Sequence, residues 1–208
     1  PHEGPDAMSQ TIFRALAING SARKGGNTAT LLRRVLQGLQ KEGFDTELIE
    51  LGGSPLRGCT ACRSCFKNKN KRCIIETDNL NEILAAMIEA DAIIIGSPTY
   101  FADVTSDTKA LLDRAGYVGR ANDNLFARKV GAAVVMMRRA GAIHAFNTIN
   151  HFFLIEGMYV AGSTYWNLGI GRELGDVEKD AEALSTMDAL ASNIAHLVKC
   201  LKSDGNSH

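Results

Sequence analysis

The strongest constraint on the fold is a regular alternation between short apolar segments and helical patterns. Five segments have the composition of buried strands, namely residues 12–19, 45–51, 92–96, 130–137 and 158–161. Between and after them, apolar residues recur at helical spacing. Parallel sheets covered by helices on both faces show this alternation. The sequence therefore predicts a single α/β domain with a doubly wound, five-stranded parallel sheet in the order 2-1-3-4-5.

The composition is that of a soluble folded protein. The 23 Lys and Arg residues balance 23 Asp and Glu residues, which disfavours a nucleic-acid partner. No apolar run reaches the ~20 residues that would cross a membrane, and no secretory signal is recognisable, so we expect a cytoplasmic protein. We expect the domain at residues 8–202, a remnant that precedes the natural start at residues 1–7, and a polar tail at 203–208.

The loop after the first strand, residues 19–28, has the character of an anion site. It joins a strand to a helix N-terminus, where free N–H groups and the helix dipole favour a phosphate. It matches neither the Rossmann glycine pattern nor the P-loop, so a lone phosphate monoester is expected. A polar turn that only begins the helix is the alternative. The candidate phosphate ligands are Ser21, Arg23, Lys24, Gly26, Asn27 and Thr28.

The loop after the third strand is the second candidate for ligand binding. Pro98 stiffens it, Thr99 supplies polar groups, and Tyr100 and Phe101 offer flat apolar surface. In an open α/β sheet, ligands bind at the carboxyl ends of the strands near the switch in strand order. These residues therefore suit a planar heterocycle, unless the two aromatic residues simply cover the sheet edge.

Together, the two loops resemble the NADPH-dependent FMN reductase branch of the flavodoxin-like proteins, over about residues 12–201. One departure is Ala22, where the family often has proline. The resemblance implies that the first loop holds the FMN phosphate and that the second lies against the isoalloxazine ring. It also implies that Arg139 and Gly141, after the fourth strand, approach the flavin. NAD(P)H as a substrate, a small-molecule electron acceptor and a homodimer or homotetramer are further implications.

Four of the five cysteines fall within fifteen residues, inside a Cys-rich loop at 58–76. Three cysteines within seven residues match the close wrapping of an iron–sulfur cluster better than the separated pairs of structural zinc sites. The spacing resembles the iron–sulfur flavoproteins of the same family, which implies a 4Fe–4S cluster. Redox-active thiols, zinc and no role at all stay open as alternatives. The implied cluster ligands are Cys59, Cys62, Cys65 and Cys73. Because this loop follows the second strand, we expect it at the same sheet edge as the flavin loops.

A basic run, residues 67–72, lies between the last two of these cysteines. It is either a solvated loop or a docking site for an acidic, ferredoxin-type donor. The adjacent residues Asp113 and Arg114 predict local ion pairs at a helix end. Tyr165 and Trp166 either cover the flavin of a neighbouring subunit or pack under their own loop.

The leading hypothesis is an FMN-dependent oxidoreductase. It would move electrons between NAD(P)H or a ferredoxin-like donor and a small acceptor such as a quinone or flavin, with a 4Fe–4S cluster as an intermediate carrier. In this hypothesis no side chain acts as an acid or base. The alternatives are a non-enzymatic electron carrier resembling flavodoxin and a cysteine-based redox sensor.

Overall fold

The computed structural model describes residues 12–205 of the chain. The predicted remnant at residues 1–7, the predicted start at Met8 and residues 206–208 of the predicted tail lie outside the described residues.

The central sheet has the predicted parallel order. Strand β1 lies between β2 and β3, and β3 is followed by β4 and β5, giving the order β2-β1-β3-β4-β5. This confirms the doubly wound α/β class and places the switch in strand order between β1 and β3. The four long strands are β1 (Phe13–Asn19), β2 (Phe44–Glu50), β3 (Ala92–Pro98) and β4 (Val130–Met137).

Two short strands share the fifth position of the sheet, where the sequence predicts one. Strand β5 (Tyr159–Val160) pairs with the start of β4, and β6 (Leu168–Ile170) pairs with its end. The second of these lies in a polar, glycine-rich segment that contains none of the five predicted strands. Its middle residue, Gly169, is buried, and an added Cβ would lie 2.7 Å from the Met136 sulfur. Because glycine has a low strand propensity, a short strand with glycine at its centre is difficult to predict from sequence.

Helices cover both faces of the sheet. Helices α1 and α6 pack with the 3-10 turn Asp176–Lys179 on one face, and α3, α4 and α5 pack on the other. The helices are α1 (Asn27–Lys41), α2 (Ser64–Asn68), α3 (Leu80–Glu89), α4 (Ser106–Ala121), α5 (Ala142–Ile155) and α6 (Ala181–Gly205). Helix α4 continues through Gly116 and Gly119, although glycine has a low helix propensity. Within residues 12–205, none of the helices is long and apolar enough to cross a bilayer.

The carboxyl ends of β1 and β3 are tied together where the two predicted binding loops begin. The N–H of Gly20 donates to the carbonyl oxygen of Gly96 at 2.7 Å. Consequently the loop after β1 and the loop after β3 leave the sheet side by side, which forms one crevice at this edge.

Candidate functional site

A cleft of about 300 Å³ opens at the carboxyl edge of the sheet. The loops after β1, β3, β4 and β6 form its walls. It brings together eight of the twelve residues predicted to bind the flavin: Ser21, Arg23, Gly26, Asn27, Thr28, Pro98, Thr99 and Tyr100.

The loop after β1 is held by its own side chains and by β2. Ser21 N donates to Asn19 Oδ1 at 3.0 Å, and Arg23 N donates to Ser21 Oγ at 3.1 Å. Gly25 N donates to Glu50 Oε1 at 2.9 Å. The loop ends at Gly26, the N-cap of α1, which has no side chain with which to cap the helix. The first-turn N–H groups of α1 are therefore free to donate hydrogen bonds to an anion in the cleft.

Helix α4 supports this loop from the other side. Thr105 Oγ1 donates to the carbonyl oxygen of Gly20 at 2.7 Å, and it also accepts from Thr108 N. A Cβ on Gly20 would lie 1.8 Å from Thr108 Oγ1, so only glycine allows this close approach. The start of the loop is thereby fixed to a helix rather than left to solvent.

Thr99 lines the cleft and carries a buried hydroxyl. Its main-chain N–H donates to the Met136 carbonyl oxygen at 2.7 Å, which holds the loop against β4. Its Oγ1 has no hydrogen-bond partner among residues 12–205. Since a buried polar atom is usually paired, a ligand group in the cleft is the natural partner of this hydroxyl.

Four predicted flavin residues do not line the cleft. The Lys24 side chain lies over Gly53, and Phe101 is fully exposed with a left-handed backbone (φ 47°). Arg139 is exposed, and Gly141 packs against the loop after β3, where an added Cβ would lie 3.2 Å from Thr99 Cγ2.

Five residues that the sequence analysis missed do line it, namely Met136, Met137, Arg138, Gly171 and Arg172. Arg138 takes the position expected for its neighbour Arg139. Arg172 arrives with β6, and Asn27 fixes this segment: Asn27 Nδ2 donates to Glu173 O at 2.8 Å and Asn27 Oδ1 accepts from Gly175 N at 2.9 Å. Arg23, Arg138 and Arg172 together give the cleft positive charge, which suits an anionic ligand.

The four clustered cysteines all line a second, small cavity of about 20 Å³ beside α4. Cys59 and Cys62 are exposed, whereas Cys65 and Cys73 pack against the core on the α3–α5 face. Ala61 N lies 3.4 Å from Cys59 Sγ and donates to it. Within residues 12–205, no three His, Cys, Asp or Glu side chains are arranged to hold a metal ion.

The backbone between Cys59 and Cys73 is unusual. Ala61, Arg63, Lys69 and Lys71 have φ between 45° and 59°, the left-handed region that residues other than glycine rarely adopt. Each such residue costs roughly 1–2 kcal/mol. With this backbone conformation, all four cysteines line one cavity.

Arg114 on α4 fastens the Cys-rich loop, although the sequence predicts only a local ion pair at a helix end. It is buried, and its guanidinium binds Asp78 Oδ2 (2.5 Å), Arg57 O (3.0 Å), Ile75 O (3.1 Å) and Cys73 Sγ (3.4 Å). Burial alone would raise the pKa of Asp78, but hydrogen bonds from Arg114 and from main-chain N–H groups lower it. The local pair at this point of the helix is instead Lys109 with Asp113.

The Cys-rich loop does not stay at the sheet edge where the sequence places it. Leu56 N donates to Asp107 Oδ1 at the start of α4, and Lys71 N donates to Asn122 Oδ1 just after its end. The loop therefore runs along the whole helix. Arg114, which binds Cys73, lies nine residues beyond Thr105, which binds Gly20, or ~13 Å along the helix axis. The expectation of a shared edge is wrong, because a loop this long can cross the face of the domain.

The fold and the cleft define a class: a flavodoxin-like α/β domain with a positively charged cleft at the switch in strand order. A sequence model of the NADPH-dependent FMN reductase family matches residues 13–173. The chain belongs to this family.

Individual proteins agree with that assignment. The chain is 38% identical to an iron–sulfur flavoprotein of Methanocaldococcus jannaschii, over 91% of this chain and 100% of the relative. It is 31% identical to an iron–sulfur flavoprotein of Archaeoglobus fulgidus, over 91% and 98%. The crystal structure of RosB, with a bound 8-demethyl-8-formylriboflavin-5'-phosphate intermediate, superposes with a TM-score of 0.71 over 92% of this chain and 81% of that one, at 21% identity. This last likeness concerns the fold.

Proposed function

We propose that the protein is an FMN-dependent oxidoreductase that moves electrons between NAD(P)H or a ferredoxin-like donor and a small acceptor such as a quinone or flavin, with a 4Fe–4S cluster held by its four clustered cysteines. The observation that carries the flavin part is the cleft, which is lined both by the first turn of α1, whose N-cap Gly26 supplies no side-chain cap, and by Thr99, whose buried hydroxyl has no hydrogen-bond partner among the described residues.

The residues of the cleft fit FMN. When bound, FMN supplies hydride and single-electron chemistry. The first turn of α1 and Ser21 would bind the phosphate, since both provide uncharged donors at a helix N-terminus. Pro98 and Thr99 would border the ring system, and Arg138 and Arg172 would add positive charge at the mouth of the cleft.

The Cys-rich loop fits an iron–sulfur cluster by its donor set. Thiolates are the ligands of such clusters, and hydrogen bonds to the sulfurs tune their potential. Arg114 Nε and Ala61 N already donate to two of these sulfurs. The name that the M. jannaschii and A. fulgidus relatives share, iron–sulfur flavoprotein, supports the same reading for this chain.

The basic segment, defined as Lys67, Lys69, Lys71 and Arg72, would dock the ferredoxin-like donor. All four side chains are exposed on the outside of the Cys-rich loop. We expect the rate of reduction by an acidic ferredoxin to fall as salt rises, because exposed charges are screened over ~10 Å at 0.1 M salt. A variant with these four residues changed to Gln should be slower at low salt and lose most of that salt dependence. If the rate of reduction of the native protein did not change with salt, docking of a ferredoxin-like donor on the basic segment would be excluded.

The flavin part is tested by binding and turnover together. Thr99→Val should weaken FMN binding by about three- to tenfold, the value of one hydrogen bond, while Thr99→Ser should bind like the native protein. FMN fluorescence titration measures both. The FMN-loaded native protein should oxidise NADPH or NADH without oxygen in the presence of a quinone. If FMN binds but neither nucleotide is oxidised, the electron-carrier alternative gains support and the reductase activity is excluded.

A further inference from the structure

A groove between α4 and α5 has a volume of about 660 Å³, more than that of the flavin cleft. Ligand pockets typically enclose ~300–1,000 Å³ and combine apolar walls with a few polar groups. The walls here are mainly the side chains of Phe66, Leu112, Tyr117, Phe152 and Ile155. The rings of Phe66 and Tyr117 meet edge to face at 6.2 Å, so one side of the groove is continuously aromatic.

Glu156 lies at the inner end of this groove and is the feature that needs explanation. The residue is 1% exposed, and within residues 12–205 neither of its carboxylate oxygens has a hydrogen-bond partner. Leaving a buried carboxyl without partners is costly, so such a group in a folded protein usually serves a ligand or a reaction.

Helix α4 leaves space for this carboxyl. An added Cβ on Gly116 would lie 3.4 Å from Glu156 Oε1, and one on Gly119 would lie 2.7 Å from Glu156 Oε2. Glycine inside a helix costs about 0.5–1 kcal/mol relative to alanine. Two glycines one turn apart therefore make room for the carboxyl at some cost in stability.

The other charged groups of the groove already have partners. Lys109 pairs with Asp113, and the guanidinium of Arg120 donates to the carbonyl oxygen of Ile155. Asp103 accepts from Thr148 Oγ1 at 2.8 Å. Glu156 is thus the one groove carboxyl for which the described residues supply no hydrogen-bond donor, although the charge of Arg120 acts on it through space.

We propose that the groove between α4 and α5 binds a small aromatic cation, of the arylalkylamine or aryl amidine class, with its charged group on the Glu156 carboxylate and its ring between Tyr117 and Phe152. A carboxylate bound to a cation gains a charge-assisted hydrogen bond, and aromatic walls favour a flat, positively charged molecule. Tyr117 also lines the cysteine cavity, so this ligand would sit beside the Cys-rich loop.

Calorimetric titration of the full FMN-loaded chain with benzamidine at about pH 8 tests the proposal, because Glu156 then carries its charge. We expect saturable binding that Glu156→Gln weakens by at least tenfold, the loss of one charge-assisted hydrogen bond. Glu182→Gln, which removes an exposed glutamate on α6, should bind as the native chain does. Benzyl alcohol, which has the ring without the charge, should bind equally to the native chain and to Glu156→Gln.

If Glu156→Gln alters the fold, a second variant still tests the proposal. Gly116→Leu should block the groove and abolish benzamidine binding without changing FMN affinity, because a Cβ at this position makes only ordinary contacts. Binding that survives in both variants, or no binding to the native chain, would overturn the proposal. So would sedimentation showing that Gly116→Leu dissociates an oligomer, since a second copy of the chain would then fill the groove.

Discussion

At the scale of single residues, Arg114 and Glu156 show that the effect of a buried charged residue on stability depends on its hydrogen-bond partners. Arg114 is buried and its guanidinium donates four hydrogen bonds, whereas neither carboxylate oxygen of the buried Glu156 has a hydrogen-bond partner among the described residues. Neither behaviour can be predicted from sequence, because both depend on which distant segment packs against the residue. Asp78 and Arg57, the partners of Arg114, are separated from it by 36 and 57 positions.

Replacing Arg114 should loosen the Cys-rich loop. Arg114→Met leaves Asp78 charged without its guanidinium partner, which typically costs ~3–5 kcal/mol for a buried pair. We expect that loss in urea unfolding, together with faster reaction of Cys73 with a thiol reagent. Arg33→Met, at an exposed position on α1, serves as the control and should change neither quantity. The double variant Arg114→Met with Asp78→Leu should recover part of the stability; equal loss in the single and double variants would contradict the buried pair as the cause.

Glu156 should make stability fall as the pH rises. Burial raises the pKa of Glu156 to about 7 from the usual 4.5, so the folded chain holds this proton more tightly than the unfolded chain. The contribution of this group is fully present below about pH 4.5, declines as the unfolded chain ionises, and is lost above about pH 7. The expected total is about 3 kcal/mol.

Comparing variants across pH isolates this effect. The free energy of unfolding of Glu156→Gln, relative to the native chain, should rise by about 3 kcal/mol between pH 4.5 and 8, because glutamine cannot ionise. Glu182→Gln should follow the native profile at every pH. If Glu156→Gln also ran parallel to the native protein, Glu156 would have an ordinary pKa and an unrecognised partner.

At the scale of elements, the sequence predicts the strands and helices with strong periodicity and misses those set by packing. Residues 92–96 of β3 are continuously apolar and therefore recognisable as a strand, whereas β6 depends on Gly169 lying against Met136 and Leu31. The residues that β6 brings to the cleft, Gly171 and Arg172, were missed for the same reason. The loops after β1 and β3 were predictable because short polar and glycine residues directly follow buried strands.

Strand β6 should matter for flavin binding as well as for stability. Gly169→Ala places a Cβ within 3 Å of both Met136 and Leu31, so β6 must move away from β4 and carry Arg172 with it. We expect a lower melting temperature and weaker FMN binding by fluorescence titration. Gly162→Ala, where an added Cβ meets nothing within 4 Å, is the matched control. Unchanged FMN affinity in Gly169→Ala would show that the segment after β6 takes no part in the flavin site.

At the scale of the whole molecule, two sites occupy different parts of one domain. The flavin cleft is built on the carboxyl edge of the sheet, and the Cys-rich loop lies along α4, with that helix touching both. Exposed aromatic side chains at Tyr100, Phe101, Tyr165 and Trp166 lie on loops around that edge or on the segment between β5 and β6. Tyr165 and Trp166 are about half exposed, so they do not pack under their own loop. We propose, on this ground, that the protein assembles as a homodimer or homotetramer.

The central claim is that one chain carries both FMN and an iron–sulfur cluster. Purification without oxygen, followed by a visible spectrum and by assays of iron, acid-labile sulfide and FMN, tests it most directly. We predict about four iron and four sulfide per FMN, with a broad shoulder near ~400 nm beside the flavin bands. Cys65→Ser should lose iron and shoulder together but keep FMN, and Cys200→Ser should keep all three. Stoichiometric FMN without iron or sulfide in the native chain would contradict the claim.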